Sequence, residues 1–359
     1  MNVALVYDRV NKWGGAERVL LSLNKLFPKA PLYTSVYNQE TSSWAKIFPK
    51  VIPSFLQKIP FAKSHHEVLP FLMPIAFESF NFSGFDLVIS VTSEAAKGII
   101  TPPGTIHICY CLTPTRYLWS GYNEYFTNPL LKELSLPIVS YLQDWDQTAA
   151  NRPDVMVGIS KTVCTRIKKY YHRDSKLIYP PVDVDRFSFS TFNVQRSTFY
   201  LLVSRLVSYK KTDLVVNVFN RLKRPLIIVG TGSQEDELRQ IANSNITFVG
   251  QVSDEKLIEY YQNAKALIFP QEEDFGIVAV EAQAAGCPVI AFSKGGATET
   301  VNKKTGVFFY EQKESALMEA VENFERENFS PKSCRANAQK FSEKKFLKSF
   351  AKLVSDSTK

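Results

Sequence analysis

The chain has 359 residues, 45% of them hydrophobic and 22% charged, with a formal net charge of +8 and a pI near 9.0. The length exceeds that of one ordinary domain and the composition supports a large core, so two domains are expected. Five cysteines at irregular spacing exclude a disulfide framework and point to a reducing compartment, and the lack of any run of about 18 apolar residues excludes a membrane-spanning helix. The basic balance suits nucleic acid, an anionic membrane face or a phosphorylated substrate. Lysines and arginines are spread along the chain, densest at Arg166, Lys168 and Lys169, at Lys210 and Lys211, and at Lys344 and Lys345.

In chain order, Val3–Tyr7 is an apolar run of the kind a buried parallel strand needs, and the opening MNVALVYDRV reads as that strand and not as a signal peptide. A loop over 11–15 and helical periodicity from Ala16 to Leu26 follow. A strand, a Gly14-Gly15 loop and a helix either bind an anion through backbone N–H groups or make an ordinary β–α turn; the spacing matches neither the dinucleotide fingerprint nor the phosphate loop. Residues 51–80 are apolar and aromatic, and four prolines forbid one long helix. They read as short helical pieces over a core, or as a surface dipping into a membrane with Lys58, Lys63, His65 and His66 beside it.

Strands are expected at 86–91 and 106–111. On the second, His107, Cys109 and Cys111 share a face, but side chains at i, i+2 and i+4 diverge in a line, so no metal site is expected. Thr113, Arg116, Tyr117 and Trp119, just past that strand, form a candidate polar and aromatic substrate wall. A long helix over 129–150, a strand over 154–159, a helix over 161–171 capped by Ser160 and a short strand over 176–179 complete the first half.

Tyr179-Pro180-Pro181-Val182-Asp183 marks a change of regime. The expected division is a first domain over 1–182, a linker over 183–198, a second domain over 199–330 and a C-terminal segment over 331–359. In the second domain, apolar runs at 199–203, 225–229, 245–249, 266–269, 288–292 and 306–309 alternate with helix-like or turn segments. Such alternation means a parallel doubly wound sheet, so both halves read as Rossmann-like α/β domains with a cleft between them.

Ligands in such sheets bind at the carboxyl ends of strands, and three ends stand out. Arg205 and Lys210 follow the first strand and offer two fixed cations, suited to a diphosphate whose bond breaks. Gly230-Thr231-Gly232-Ser233 is a turn that lets a ligand approach backbone. Glu273 precedes a helix, Glu281 lies eight residues on within it, and its start offers the N–H groups of Phe275, Gly276 and Ile277. The three converge on one sheet edge, where a nucleotide sugar is the expected ligand.

Four segments, SRLVSYK at 204–210, VGTGS at 229–233, ITFVGQVSDEKL at 246–257 and EDFGIVAVEAQAAGCPVIAFSKGGATETV at 273–301, resemble the second half of retaining glycosyltransferases of the GT-B fold, in the large family 4. Glu273 and Glu281 match that family's E-x7-E. GGAERVL at 14–20, HICYCLTPTRYLW at 107–119 and LIYPPVDVDRF at 177–187 resemble the bacterial O-antigen mannosyltransferase subgroup. The resemblance implies that Arg205 and Lys210 neutralise the donor diphosphate in place of a metal, that Glu281 bonds the ribose, and that Glu273 holds donor-sugar hydroxyls. It implies that the Gly14-Gly15 loop approaches the phosphates or the acceptor, and that the C-terminal helix crosses back to the first domain. No protein nucleophile and no cofactor are implied.

Leu112 stands where the subgroup's Y-C-H-T-P pattern has His, and leucine neither donates nor accepts a hydrogen bond. Two D-x-D strings, Asp144-Trp145-Asp146 and Asp183-Val184-Asp185, fall on an expected helix and in the linker and read as structural. The resulting expectation is hexose transfer, mannose from GDP-mannose, to a lipid-linked oligosaccharide in O-antigen or related surface polysaccharide synthesis. The enzyme is expected to be cytoplasmic and peripheral at the inner membrane face, with no nucleic-acid partner. A UDP-sugar donor and a catalytically weakened nucleotide-sugar-binding subunit are the alternatives.

Overall fold

Strands buried on both faces need near-continuous apolar runs, and this chain supplies them twice. A computed structural model describes residues 1–61, 70–122, 128–188 and 198–358. Lys63, His65, His66 and most of the expected linker lie outside the described residues. The chain divides into two compact units, Met1–Pro181 with Phe346–Lys359, and Val182–Lys345.

The first unit holds β1 (Val3–Tyr7), β2 (Leu32–Thr34), β3 (Val51–Pro53), β4 (Leu87–Thr92), β5 (Ile106–Cys111), β6 (Val155–Gly158) and β7 (Lys176–Leu177) in the order β3-β2-β1-β4-β5-β6-β7. All neighbours are parallel, with Leu5 opposite Leu32 on one side and Ile89 on the other. Its helices are α1 (Gly15–Leu26), α2 (Met73–Glu78), α3 (Pro129–Ala150) and α4 (Lys161–Tyr171). Ser160 caps α4 by accepting from the Val163 N–H at 3.1 Å. In the stretch 51–80, read from the sequence as helical pieces, Val51–Pro53 is instead the edge strand β3, paired to β2; short helical turns follow at Phe55–Lys58, Pro70–Leu72 and Met73–Glu78, and Leu56, Met73, Ala76 and Phe77 join Ala4, Val6 and Val88 in the core. Phe55, Phe61, Phe71 and Ile75 of the same stretch are exposed.

The second unit holds α5 (Val184–Ser188) and β8 (Tyr200–Val203), β9 (Leu226–Val229), β10 (Ile246–Gly250), β11 (Leu267–Phe269), β12 (Val289–Phe292) and β13 (Gly306–Phe309). The sheet order is β10-β9-β8-β11-β12-β13, again all parallel. The helices α6 (Thr212–Leu222), α7 (Glu235–Ile241), α8 (Asp254–Asn263), α9 (Ile277–Ala284), α10 (Ala297–Thr300), α11 (Glu314–Arg326) and α12 (Pro331–Ala338) accompany it. Part of the stretch read as linker is therefore the helix α5, whose Phe187 meets the Tyr261 ring edge-on at 5.9 Å. Val182 donates to the Phe341 carbonyl at 3.1 Å and accepts from the Glu343 N–H at 3.0 Å. The last helix, α13 (Glu343–Ser357), sets Phe346 and Phe350 against Tyr110 of β5 at 5.7 and 6.1 Å, within the first unit.

His107 of β5 is fully buried with Nε2 at 2.8 Å from Ser90 Oγ. Burial, aided by Arg173 and Arg152, pushes its pKa down to about 3. The unfolded chain binds that proton near the ordinary imidazole value of about 6.5. The neutral ring's contribution is therefore intact above that value and is lost as pH falls toward 3. Urea denaturation from pH 6.5 to 4.5 should show stability falling by up to ~1.4 kcal/mol per pH unit from this group. His107→Gln, which keeps an amide for Ser90 but does not titrate, should flatten that segment of the profile; an unchanged slope would assign the loss elsewhere.

Candidate functional site

In each unit the sheet is wound outward from its first strand and then resumed on that strand's other side. The loops after β1 and β4, and after β8 and β11, therefore diverge at the carboxyl edge, where open α/β sheets take ligands. A charge pair spans each such point. In the second unit it joins Lys210 Nζ, after β8, to Glu273 Oε1, after β11. In the first it joins Arg9, after β1, to Glu94, after β4.

The two pairs are similarly exposed, with the Arg9 and Glu94 side chains at 14% and 21%. The Lys210 and Glu273 side chains are 12% and 23% exposed, buried enough to hold geometry and open enough to meet a ligand. Tyr209 lies beside both cations. Its hydroxyl bonds Arg205, and its ring centroid is 5.0 Å from Lys210 Nζ and 5.9 Å from the Arg205 guanidinium carbon. Gln271, not singled out from the sequence, donates from Nε2 to Glu273 Oε1 at 2.9 Å. Its own Oε1 is buried and has no hydrogen-bond partner among the described residues.

Glycine here serves loop packing. A Cβ on Gly230 would collide with the Ser204 carbonyl, and one on Gly232 with the Leu206 carbonyl. The close approach that requires glycine in the 230–233 turn is thus that of the loop after β8. Likewise Gly295 and Gly296 press against the backbone of Glu273 and Phe275, and Gly296 N–H donates to the Glu273 carbonyl at 2.7 Å. Gly276, at φ +85°, precedes the first turn of α9, which has no side-chain cap. That turn, starting at Ile277, presents backbone N–H groups at the sheet edge. The Phe275 side chain instead packs inward, edge-on to Phe341 at 5.5 Å.

Glu281 has a partner of its own outside the Lys210–Glu273 pair. It is buried in α9, and its Oε2 accepts from the Tyr261 hydroxyl of α8 at 3.2 Å. Gly14 and Gly15 open α1 in the first unit, where Glu17 of the first turn is buried and bonded to the Tyr7 hydroxyl at 2.7 Å. A carboxylate thus already lies at that helix start.

Of the wall after β5, Trp119 is held from behind. Its Nε1 donates to Asp146 Oδ2 at 2.8 Å and its ring stacks on Tyr170 at 5.2 Å. Thr113 is buried, and its hydroxyl has no hydrogen-bond partner among the described residues. Arg116 and Tyr117 are partly exposed, with the Tyr117 phenol pushed up by burial. Asp8, also missed in the sequence, accepts from Thr92 Oγ1 at 2.8 Å and from the Ser93 and Ala96 N–H groups at 2.7 and 2.9 Å, fixing the turn that carries Glu94. These contacts join residues some 85 positions apart, which local spacing does not reveal.

Residues 183–341 match the family model for glycosyl transferases group 1. Part of the chain is 31% identical over 184 residues to a GDP-mannose-dependent alpha-(1-6)-phosphatidylinositol monomannoside mannosyltransferase of Mycobacterium tuberculosis, covering 43% of this chain and 48% of that protein. It is also 30% identical over 132 residues to the O-antigen chain mannosyltransferase C of Escherichia coli, covering 34% and 36%. These matches span about half or less of the relatives' length. Over the whole chain, the structure of Anabaena HepE in complex with UDP superposes with a TM-score of 0.72 at 18% identity, covering 99% of this chain and 100% of that one. The fold is thus that of the GT-B glycosyltransferases. The group 1 match contains Arg205, Lys210, Gln271, Glu273 and Glu281.

Asp146 shows what a fully committed carboxylate looks like. It pairs with Lys97 at 2.5 Å, both side chains 1% exposed, and accepts from Thr115 Oγ1, Trp119 Nε1 and the Tyr171 hydroxyl at 2.9, 2.8 and 2.7 Å. Burial works against the Lys97 ammonium, but the neighbouring carboxylate outweighs it and holds the pKa above the ordinary lysine value. Removing one partner strands the other charge. Asp146→Asn should lower stability by about 3–5 kcal/mol in denaturant titration, and pairing it with Lys97→Met should recover most of that loss. A single variant within about 1 kcal/mol of the parent would show that the pair is not a structural anchor.

Proposed function

We propose that this protein is a retaining, metal-independent hexosyltransferase that moves mannose from GDP-mannose to a lipid-linked glycan in O-antigen or related surface polysaccharide synthesis, working peripherally at the inner face of the cell membrane. The observation that carries the reading is the Lys210–Glu273 pair, with Gln271 on the same carboxylate oxygen, at the switch point of a unit that matches group 1 glycosyl transferases. The mannosyl donor and the lipid-linked or O-antigen acceptor follow the two relatives named above.

In this reading Lys210 and Arg205 face the donor diphosphate and stabilise the charge that grows on it as the glycosidic bond breaks. Fixed cations are most effective when already in place before that charge develops. The first turn of α9, with Phe275, Gly276 and Ile277, adds N–H groups toward the phosphate. Glu273 takes donor-sugar hydroxyls, and Glu281 takes the ribose. Gly14 and Gly15 approach the donor phosphates or the acceptor, and Thr113, Arg116 and Tyr117 serve the acceptor side, with Trp119 as their support. The two cations do the work a metal does elsewhere, so no metal enters the reaction.

Two observations favour other readings. HepE, similar over the whole chain, was crystallised with UDP, which favours a UDP-sugar donor. Leu112 favours a nucleotide-sugar-binding subunit with weakened turnover. A thermal-shift screen with GDP- and UDP-sugars should show stabilisation by the guanosine class alone. Lys210→Ala and Glu273→Ala should each lower transfer by about a hundredfold or more while the melting profile stays cooperative. Near-parental rates in both would remove the site. EDTA should leave the rate unchanged, and a loss restored by Mn2+ would overturn the metal-free mechanism.

A further inference from the structure

The Arg9–Glu94 pair at the switch point of the first unit stands among further acids. Asp8 is fully buried beside it, and Glu17 is buried in the first turn of α1, where its Oε2 would lie 3.2 Å from a Cβ on Gly14. Burial pushes the Glu17 carboxyl up, and Tyr7, Lys12 and Arg9 oppose it. Burial, then Glu94, Asp146 and Asp8, push the Tyr117 phenol up while Arg9 opposes them, so this wall residue stands among the same charges. Arg9 bonds Glu94 through Nη1, and its Nε has no hydrogen-bond partner among the described residues. A guanidinium carries several N–H donors, so Arg9 keeps some to offer.

The loop between β1 and α1 sets an aromatic ring next to Gly14. Of the four tryptophans Trp13 alone is exposed, at 52%. The other three donate their indole N–H groups, Trp44 to the Lys12 carbonyl, Trp119 to Asp146 and Trp145 to Glu78. One exposed apolar side chain is ordinary, but Trp13 is exposed from a backbone that is tied down. Val10 pairs with Tyr37, Thr41 Oγ1 donates to the Asn11 carbonyl at 2.7 Å, and Trp44 holds the Lys12 carbonyl at 2.9 Å. The Trp44 ring lies 6.3 Å from that of Trp13 and backs it.

An indole face with a carboxylate and a guanidinium nearby suits a pyranose. The C–H groups of the sugar ring pack on the aromatic face, and its hydroxyls donate to the carboxylate and accept from the guanidinium. Charge decides which kind of sugar. Arg9 is matched by Glu94 and Lys97 by Asp146, while Asp8 and Glu17 add negative charge that Lys12 offsets in part. A phosphate would have to take Arg9 from Glu94 in the presence of those acids, whereas a neutral polyol bonds the pair without separating it.

We propose that Trp13 and the Arg9–Glu94 pair bind a neutral pyranose, the terminal residue of the glycan that accepts the transferred sugar, and that this part of the site excludes a phosphate group. The proposal rests on the transferase reading for that sugar's role as acceptor, but its test does not use sugar transfer.

The experiment is saturation-transfer NMR on the full chain with GDP or UDP present. The probes are the methyl α-glycosides of mannose, glucose and galactose and, as the charged probe, mannose phosphorylated at its primary hydroxyl. At least one neutral glycoside should receive saturation at its ring protons, and the phosphorylated sugar should not. Trp13→Ala, at an exposed position, should weaken binding of the neutral glycoside about tenfold. Glu94→Gln leaves Arg9 without its counter-charge, so it should weaken the neutral glycoside and let the phosphorylated sugar bind. Glu273→Ala, in the second unit, should leave the glycoside signal in place, which separates this site from that of the donor sugar. Absence of saturation for all neutral glycosides, parental binding in Trp13→Ala, loss of the signal in Glu273→Ala, or binding of the phosphorylated sugar by the parent as tightly as a neutral one would each overturn the proposal. A glycoside signal without any nucleotide-sugar thermal shift would instead overturn the transferase reading and leave the sugar site standing.

Discussion

Parallel neighbours in a sheet must be joined by a crossover, and this constraint determines where chemistry gathers in both units. Each sheet starts at an interior strand, β1 or β8, winds to one edge, and resumes on the other side with β4 or β11. The loops leaving these paired strands part company, and no helix closes the gap between them. Polar groups placed there can find partners across the gap. The Arg9–Glu94 and Lys210–Glu273 pairs are two instances of one solution.

The buried pair Lys97–Asp146 represents a different physical regime. At 1% exposure each charge loses nearly all its hydration, and burial is made tolerable by the mutual attraction, by the donors Thr115, Trp119 and Tyr171 on Asp146, and by the Glu94 carbonyl that accepts from Lys97. Such a cluster positions the backbone around it and has no capacity for a ligand. Lys210 and Glu273 keep partial exposure, so water, and therefore a ligand that replaces water, can reach them. Degree of burial thus separates the Lys97–Asp146 pair from the Lys210–Glu273 pair.

The doubly wound architecture was legible because burial on both faces writes continuous apolar runs into the sequence, and the alternation of those runs with helical periods permits little else. The placing of Arg205, Lys210 and Glu273 past strand ends was legible for the same reason, since each lies between such a run and the next α-helix. Gln271 was not. A glutamine beside two glutamates looks like one more loop residue until burial and its contact with Glu273 are known. The glycines were legible as special positions, but their neighbours were not: the collisions at Gly230, Gly232, Gly295 and Gly296 are with loops distant in sequence. Trp119 was visible as an aromatic past a strand end, while the carboxylate that holds its indole N–H comes from α3, 27 residues on.

The loop packing and the Gln271 contact bear together on how the donor site would operate. Glycines at 230, 232, 295 and 296 let the loops after β8, β9, β11 and β12 rest on one another's backbones, so their positions are set by packing before any ligand arrives. Glu273 Oε1 receives both Lys210 and Gln271, one charged and one neutral donor. A diphosphate competes for the ammonium, because it offers more negative charge than a single carboxylate. It does not compete in the same way for an amide on a buried side chain. On the proposed function, Lys210 can therefore turn toward the phosphates while Gln271 keeps the carboxylate aimed at the sugar. Charge neutralisation and sugar orientation are then assigned to different residues, and the first can change during the reaction without disturbing the second.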